Sequence, residues 1–323
     1  MKILLISAIH APFIQDDIDV FKKHFTVRKQ IGNGLIAIIK IFFRVFSTDV
    51  VFCWFASTYA FVGVVVGKML GLKSIVIVGG VDAAKDKALN YGIWLSPWKS
   101  LLVRYVFRNA TRILVVDPFL KEQAINLAEY EGKNISYLPT GYDSHFWKPL
   151  GVKEPIVLMV ATVRDAVTFK RKGIDTLIEA ARNLPDVKFI IVGTDPELAL
   201  KLRPPLNMEF YRVIPRNDIL PFYQRAKVYC QPSRWEGLPN ALCEAMLCGC
   251  IPVASDVCGN PTAVSTTGIL VPPNDSAALA GAIQSALNMN EDNGAKARAR
   301  IVSLFPKERR ENELVRLIRG NEK

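Results

Sequence analysis

Short apolar runs alternate along the chain with longer stretches whose apolar residues recur at helical spacing. The runs are Lys2–Ile6, Val50–Phe55, Ser74–Val78, Arg112–Val116, Ile135–Leu138, Ile156–Val160, Val187–Val192, Lys227–Gln231 and Ile251–Ser255. Near-continuous apolar character over so few residues is the pattern of a strand covered on both faces. The alternation with helical stretches predicts an α/β protein with parallel, doubly wound sheets. Pro139-Thr-Gly-Tyr-Asp143, running on to Pro149, reads as a turn between domains, and a new apolar start follows at Glu154. Two Rossmann-like domains are therefore expected, residues 1–150 and 151–305. Charged helices are predicted over Asp292–Leu304 and Lys307–Ile318.

The chain has 323 residues, of which 50% are hydrophobic, enough for two cores. Val50 to Gly67 carries no charge and reaches the length of a membrane span. It is read instead as the strand Val50–Phe55, a loop at Ser57-Thr58 and a buried helix from Tyr59 to Leu70, because that keeps the β/α rhythm. The opening Met1-Lys-Ile-Leu-Leu-Ile-Ser7 is too short for a signal peptide and reads as a strand. The six cysteines form no Cys-x-x-Cys pair and lie in apolar runs, so buried thiols and a cytoplasmic location are expected. The histidines, His10, His24 and His145, lack ligand spacing, so no metal site is expected.

Charge adds a second asymmetry. The net charge is +11, and the segment from residue 20 to residue 112 accounts for all of it. Such a face calls for an acidic partner. The same segment holds Leu35-Ile-Ala-Ile-Ile-Lys-Ile-Phe-Phe-Arg-Val-Phe46, with Lys40 and Arg44 on one helical face beside a large apolar one. Tyr91, Trp94, Trp98, Lys99, Arg104 and Arg108 follow. Basic residues among aromatics suit an anionic lipid surface. A buried helix whose cations reach solvent fits the first stretch equally well. Nucleic acid is not expected, since no recognition motif for it is present.

The candidate chemistry sits in Ser233-Arg-Trp-Glu-Gly-Leu-Pro-Asn-Ala-Leu-Cys-Glu244. Gly237 frees the loop, Pro239 suits a first helical position, and a helix can run from Asn240 to Cys248 with Gly249 at its exit. Glu236 then lies in the loop at the helix N-terminus, and Glu244 about one turn inside. Free N–H groups at that terminus suit a phosphate. Carboxylates beside it suit sugar hydroxyls, which donate hydrogen bonds.

This Glu-x7-Glu element, with Glu-Gly-Leu-Pro-Asn and Glu-Ala-Met-Leu-Cys-Gly inside it and Gly259-Asn-Pro261 after it, resembles the signature of family 4 retaining glycosyltransferases. Leu138-Pro-Thr-Gly-Tyr-Asp143 through Pro149 is similar to the family's crossover, with Thr140 in place of Asn. Lys172-Gly173 resembles its Lys-Gly helix start, and Val187–Gly193 its next strand. The resemblance implies a GT-B fold, with two Rossmann-like domains facing an interdomain cleft. It also implies that the final segment, 306–323, crosses back to the N-terminal domain.

The resemblance implies roles as well. Arg164 and Lys172 would hold the diphosphate of a nucleotide-diphosphate sugar, although Lys170 and Arg171 crowd the same loop. Glu236 would orient the sugar and Glu244 would bind the ribose. Gly237, Leu238 and Asn240 would offer backbone N–H groups, and Val213 and Pro215 would line the base pocket. The family's first-strand glycine loop is replaced by Ser7-Ala-Ile-His-Ala-Pro12, and its His-Gly pair by Gly79-Gly-Val-Asp82. Asp82 could take that histidine's role or cap a helix, and His10 is another candidate. Thr262 stands where the family commonly has Glu.

The expected activity is metal-independent transfer, with retention and without a cofactor, to a glycan or lipid-linked acceptor. The expected place is the inner face of the cell membrane, with peripheral attachment. The alternative is a non-catalytic GT-B protein that binds a nucleotide sugar or a partner enzyme.

Overall fold

Each apolar run predicted as a strand is one in the computed structural model, which describes residues 1–201 and 203–320. The chain begins β1 (Lys2–Ser7), α1 (Pro12–His24), β2 (Thr26–Ile31), α2 (Leu35–Val45), β3 (Val50–Trp54) and α3 (Thr58–Met69). It continues β4 (Lys73–Val78), α4 (Pro97–Asn109), β5 (Arg112–Val115), α5 (Pro118–Ala128) and β6 (Ile135–Tyr137). These strands make a parallel sheet in the order β2-β1-β3-β4-β5-β6. The central strand β3 is buried along its whole length, as continuous apolar character requires. Strand β2 was not expected. It is an edge strand that carries Arg28 and Lys29, and edges tolerate charges that central strands do not.

The uncharged stretch from Val50 divides into β3 and most of α3. Among the described residues, no helix is long and apolar enough to cross a membrane.

Helix α2 buries only Ala37, Ile41 and Val45. Its larger apolar side chains point away from the sheet: Leu35 is 71% exposed and Phe43 68%. The cations expected to form a basic face are mostly bound elsewhere. Arg44 donates to the Lys29 carbonyl at 2.8 Å and to Gln30 Oε1 at 2.7 Å. Arg108 donates to the carbonyls of Ala128 and Glu129, both at 2.8 Å, and Arg104 meets the Glu129 carboxylate at 3.3 Å. Lys40 is exposed. The physical reason is local: Arg108 reaches the carbonyl-rich C-terminus of α5, which attracts cations.

The second stretch of chain runs β7 (Glu154–Val163), α6 (Ala166–Arg171), α7 (Ile174–Arg182), β8 (Lys188–Thr194), α8 (Pro196–Leu200), β9 (Met208–Tyr211) and α9 (Arg216–Arg225). Then come β10 (Ala226–Gln231), α10 (Asn240–Leu247), β11 (Ile251–Ser255), α11 (Asn260–Val264), β12 (Ile269–Val271), α12 (Ser276–Asn288) and α13 (Glu291–Leu304). The parallel sheet order is β12-β11-β10-β7-β8-β9. Its core joins β7, β8, β10 and β11 to α7 and α12 through side chains such as Met159, Leu177, Ile191, Val228, Val253 and Ile283. Helix α14 (Lys307–Arg319) closes the chain.

Two compact units result: Met1–Gly141 together with the segment from Glu308, and Tyr142–Lys307. The division falls inside the Pro139–Asp143 turn, ahead of residue 150. Tyr142 and Trp147 explain this, because Tyr142 donates to Asn240 Oδ1 at 2.8 Å and Trp147 packs edge-on against Tyr223, 5.5 Å between centroids. In the first unit, α14 is held by Arg310, whose Nε and Nη2 donate to Asp17 at 2.7 and 2.8 Å. Arg310 also donates to the Pro139 carbonyl at 2.8 Å, and Trp54 Nε1 completes the shell of Asp17 at 2.9 Å. Every charge in this buried group therefore has a partner.

Candidate functional site

Strand β10 delivers Gln231 to the carboxyl edge of the second sheet, and the loop beyond it carries Ser233 and Glu236. Both are buried, with Glu236 7% exposed. Three donors converge on Glu236 Oε1: Lys172 Nζ at 2.5 Å, Ser233 Oγ at 2.7 Å and Gln231 Nε2 at 2.9 Å. Its other oxygen, Oε2, lies 3.8 Å from Arg171 Nη1. Burial alone would raise the Glu236 pKa. The charges of Lys172 and Arg171 and the bonds from Lys172 and Ser233 outweigh it, so the carboxyl is held below the usual range. Burial pulls Lys172 below the usual ammonium range, with Arg171 adding to the effect and Glu236 opposing it.

A second layer of polar side chains fixes this geometry. Tyr229 hydroxyl donates to Gln231 Oε1 at 3.1 Å, and Gln231 Nε2 also donates to Ser233 Oγ at 2.8 Å. Ser255 Oγ donates to the Ser233 carbonyl, and Asn260 Nδ2 donates to the Ser255 carbonyl at 2.9 Å. On the opposite side, Arg234 N donates to the Arg171 carbonyl at 2.7 Å, and Arg171 Nη1 returns a bond to the Trp235 carbonyl at 3.2 Å. The turn at Lys172-Gly173 requires glycine. Gly173 has φ +68, and a Cβ there would collide with the Pro232 carbonyl oxygen.

Lys172 does not open a helix as expected. It caps the C-terminus of the unforeseen α6, and Gly173 caps the N-terminus of α7. The extra helix changes which cation meets Glu236. Arg171 and Lys172 do so, whereas Arg164 is exposed just past β7, where the neighbouring Asp165 caps α6 by accepting from Thr168 N at 2.7 Å.

Glu244 stands inside α10, 8% exposed. Arg216 donates to its Oε1 through Nη2 at 2.9 Å and Nε at 3.2 Å, and Tyr223 hydroxyl donates to Oε2 at 3.3 Å. The Arg216 guanidinium lies over the Trp147 ring, 5.3 Å from its centroid. Arg216 opens α9, so the connection that carries Val213 and Pro215 is tied to Glu244 through it. Val213 is 58% exposed. Pro239 is the N-cap of α10 rather than its first residue, Asn240 opens the helix, Leu238 is buried and Gly237 half-buried. Sequence reasoning missed Gln231 and Ser233 and the side-chain role of Arg216. Their signal is polarity inside or directly after a buried strand.

Asp82 belongs to the first unit and is fully buried. It accepts from the backbone N–H groups of Ala56 at 2.9 Å, Gly79 at 3.1 Å and Gly80 at 2.9 Å. Burial raises its pKa to about 6 against the opposing effect of these bonds. It thus ties the loop after β3 to the loop after β4 and is the middle residue of a short 3-10 turn, Val81–Ala83. His10 is exposed in the connection after β1. Among the described residues, no three or more His, Cys, Asp or Glu side chains gather as a metal site.

The family model described as glycosyl transferases group 1 matches residues 143–302. That span contains Arg171, Lys172, Arg216, Glu236 and Glu244. Residues 143–302 form a glycosyl transferases group 1 domain. Two curated relatives are alpha-galactosylglucosyldiacylglycerol synthase of Streptococcus pneumoniae, 28% identical over 172 residues, and D-inositol 3-phosphate glycosyltransferase of a Mycobacterium species, 27% identical over 216 residues. The first match covers 46% of this chain and 46% of the relative, the second 59% and 48%, so the chain spans about half the length of the curated relatives it matches. Among solved structures, sucrose-phosphate synthase from Thermosynechococcus elongatus superposes with a TM-score of 0.81 at 19% identity, covering 99% of this chain and 98% of that one. Anabaena HepE in complex with UDP-glucose gives 0.79 at 16% identity, covering 99% and 100%. The two parallel six-stranded sheets of this chain are those of the GT-B fold.

Proposed function

We propose that this protein is a glycosyltransferase that moves a sugar, with retention, from a nucleotide-diphosphate sugar to a lipid-linked or glycan acceptor, without a metal or cofactor, at the inner face of the cell membrane. The observation that carries the proposal is the buried Glu236 carboxylate, 2.5 Å from Lys172 and 3.8 Å from Arg171, eight positions before the Arg216-bound Glu244. Lys172 and Arg171 provide fixed positive charge for a diphosphate leaving group. Such preorganised charge is worth most in a site that excludes water. Glu236 Oε2 can accept a hydrogen bond from a sugar hydroxyl, and Glu244 can do the same for a ribose hydroxyl.

Retention without a covalent sugar–enzyme bond fits the same geometry. Three hydrogen bonds to Glu236 Oε1 fix the carboxylate, with Oε2 turned toward a sugar hydroxyl as an orienting acceptor. Attack on the face that the diphosphate leaves, with the leaving phosphate as base, requires nothing more of Glu236 than orientation. The relatives favour a lipid-linked acceptor, one being a glycosyldiacylglycerol synthase and another, from Arabidopsis thaliana, a phosphatidylinositol N-acetylglucosaminyltransferase subunit. The HepE complex with UDP-glucose favours a uridine nucleotide.

The test is turnover of a panel of nucleotide-diphosphate sugars, with EDTA and with added magnesium, for the wild type and Glu236→Ala. Metal-independent release of nucleotide diphosphate, lost in the variant, supports the proposal. Binding that raises the melting temperature without turnover would favour a non-catalytic GT-B protein. The full engagement of Asp82 by backbone N–H groups is the observation on that side.

A further inference from the structure

Helix α2 has an unusual outward face. Six large apolar side chains within residues 35–46 are exposed: Leu35, Ile36, Ile39, Phe42, Phe43 and Phe46, by 44% to 71%. With about 100° between successive helical positions, five of them repeat at i, i+4, i+7, i+8 and i+11 and Ile36 lies beside them. They therefore form one stripe, opposite the buried stripe of Ala37, Ile41 and Val45. Phe42 contacts Phe43 and Phe46 edge-on, at 5.4 and 5.5 Å, so the aromatics form a cluster rather than isolated exposures. An amphipathic helix that docks only on a sheet turns its large apolar residues inward; this one holds the sheet with small and β-branched residues and presents its bulk to solvent.

We infer that α2 is an in-plane membrane anchor, with this stripe inserted among the acyl chains at the surface of an anionic bilayer. Eleven residues are too few to span a bilayer, so the helix lies along it. The +11 carried between residues 20 and 112 matches an anionic lipid surface, and Lys40 sits on the flank of the stripe at headgroup depth. A second copy of this chain fits less well, because an isologous contact through α2 would bring two such positive segments together. The inference deepens the proposed function by naming the surface that would bring the enzyme to a lipid-linked acceptor. It also reverses the weight between the two attractions: Arg44, Arg104 and Arg108 are bound within the fold, so apolar insertion dominates binding.

The test is flotation with vesicles of phosphatidylcholine and phosphatidylglycerol, on the full chain. Wild type should float, and Ile39→Asp/Phe43→Asp should reduce partitioning by about tenfold or more, since both side chains leave apolar contact and add negative charge. Arg104→Gln should float as wild type does, and 0.5 M salt should weaken wild-type binding without abolishing it. Unchanged flotation of the double variant would overturn the inference. So would a wild-type dimer in sedimentation velocity that the double variant dissolves while neither protein floats. Nucleotide-sugar turnover in vesicle-free solution is read in parallel. Its absence would count against the transferase reading alone, since flotation does not depend on it.

Discussion

Lys172 Nζ lies 2.5 Å from Glu236 Oε1, joining residues 64 positions apart in a buried ion pair. Burial favours loss of the ammonium proton, and the contact with Glu236 opposes it. Lys172→Ala should therefore act twice, removing charge from the leaving-group site and leaving Glu236 to Ser233, Gln231 and Arg171. Turnover of the nucleotide sugar should fall by about 100-fold or more. Glu236→Gln should fall comparably while folding intact. Steady-state kinetics with melting curves separate the two losses, and near-wild-type rates for either variant would refute the assigned role.

The Arg216–Glu244 contact predicts a different kinetic signature. It lies where ribose binding is proposed, so it should act on ground state and transition state alike. Arg216→Ala should raise KM for the donor about 10-fold or more with little change in kcat. Arg216→Lys should not rescue it, because a lysine cannot reproduce the two-nitrogen grip on Oε1 while stacking over Trp147.

Asp82 supplies a pH dependence with a definite sign. Its folded pKa is raised to about 6, above an unfolded value of about 3.9. The folded state then binds the extra proton, so the contribution of Asp82 to stability is fully present below about pH 3.9 and is lost as pH rises to about 6. Asp82→Asn should lower stability by about 1–3 kcal/mol, because its amide cannot accept from the Ala56, Gly79 and Gly80 N–H groups together. The difference between wild type and variant, followed by urea denaturation from pH 4 to pH 7, isolates the effect from other carboxylates. A difference that does not move with pH would contradict the raised pKa.

Arg310→Leu should destabilise the first unit by about 3–5 kcal/mol, since it leaves the buried Asp17 without its cation and, among the described residues, with the Trp54 N–H as its remaining side-chain donor. Removing both charges with Asp17→Asn/Arg310→Leu should recover part of that loss. Hydrogen exchange that accelerates in β1 and α1 but not in β7 or β8 would place the damage in the first unit.

Much of the fold was legible because central strands of doubly wound sheets are apolar on both faces. Val50–Phe55 and Ile251–Ser255 stand out for that reason. Thr26–Ile31 and Ile269–Val271 did not, since an edge strand and a three-residue strand carry little continuous apolar character. The placement of Glu236 in a loop and Glu244 in the next helix was legible from Gly237, Pro239 and the apolar run beyond them. The identity of the cation beside Glu236 was not. Arg164, Lys170, Arg171 and Lys172 are equivalent as a string, and α6 is what turns Arg171 and Lys172 toward the carboxylate and leaves Arg164 outside.

By itself the sequence determined the β/α alternation, the division into two sheets and the Glu-x7-Glu loop and helix, because these follow from periodicity and backbone preference over a few neighbouring residues. Tertiary structure alone decided that α2 turns its phenylalanines outward, that Arg44 and Arg108 serve backbone carbonyls, and that three donors converge on one oxygen of Glu236. Periodicity shows that a helix has two faces, but which face is buried depends on the shape and charge of elements far away in the chain.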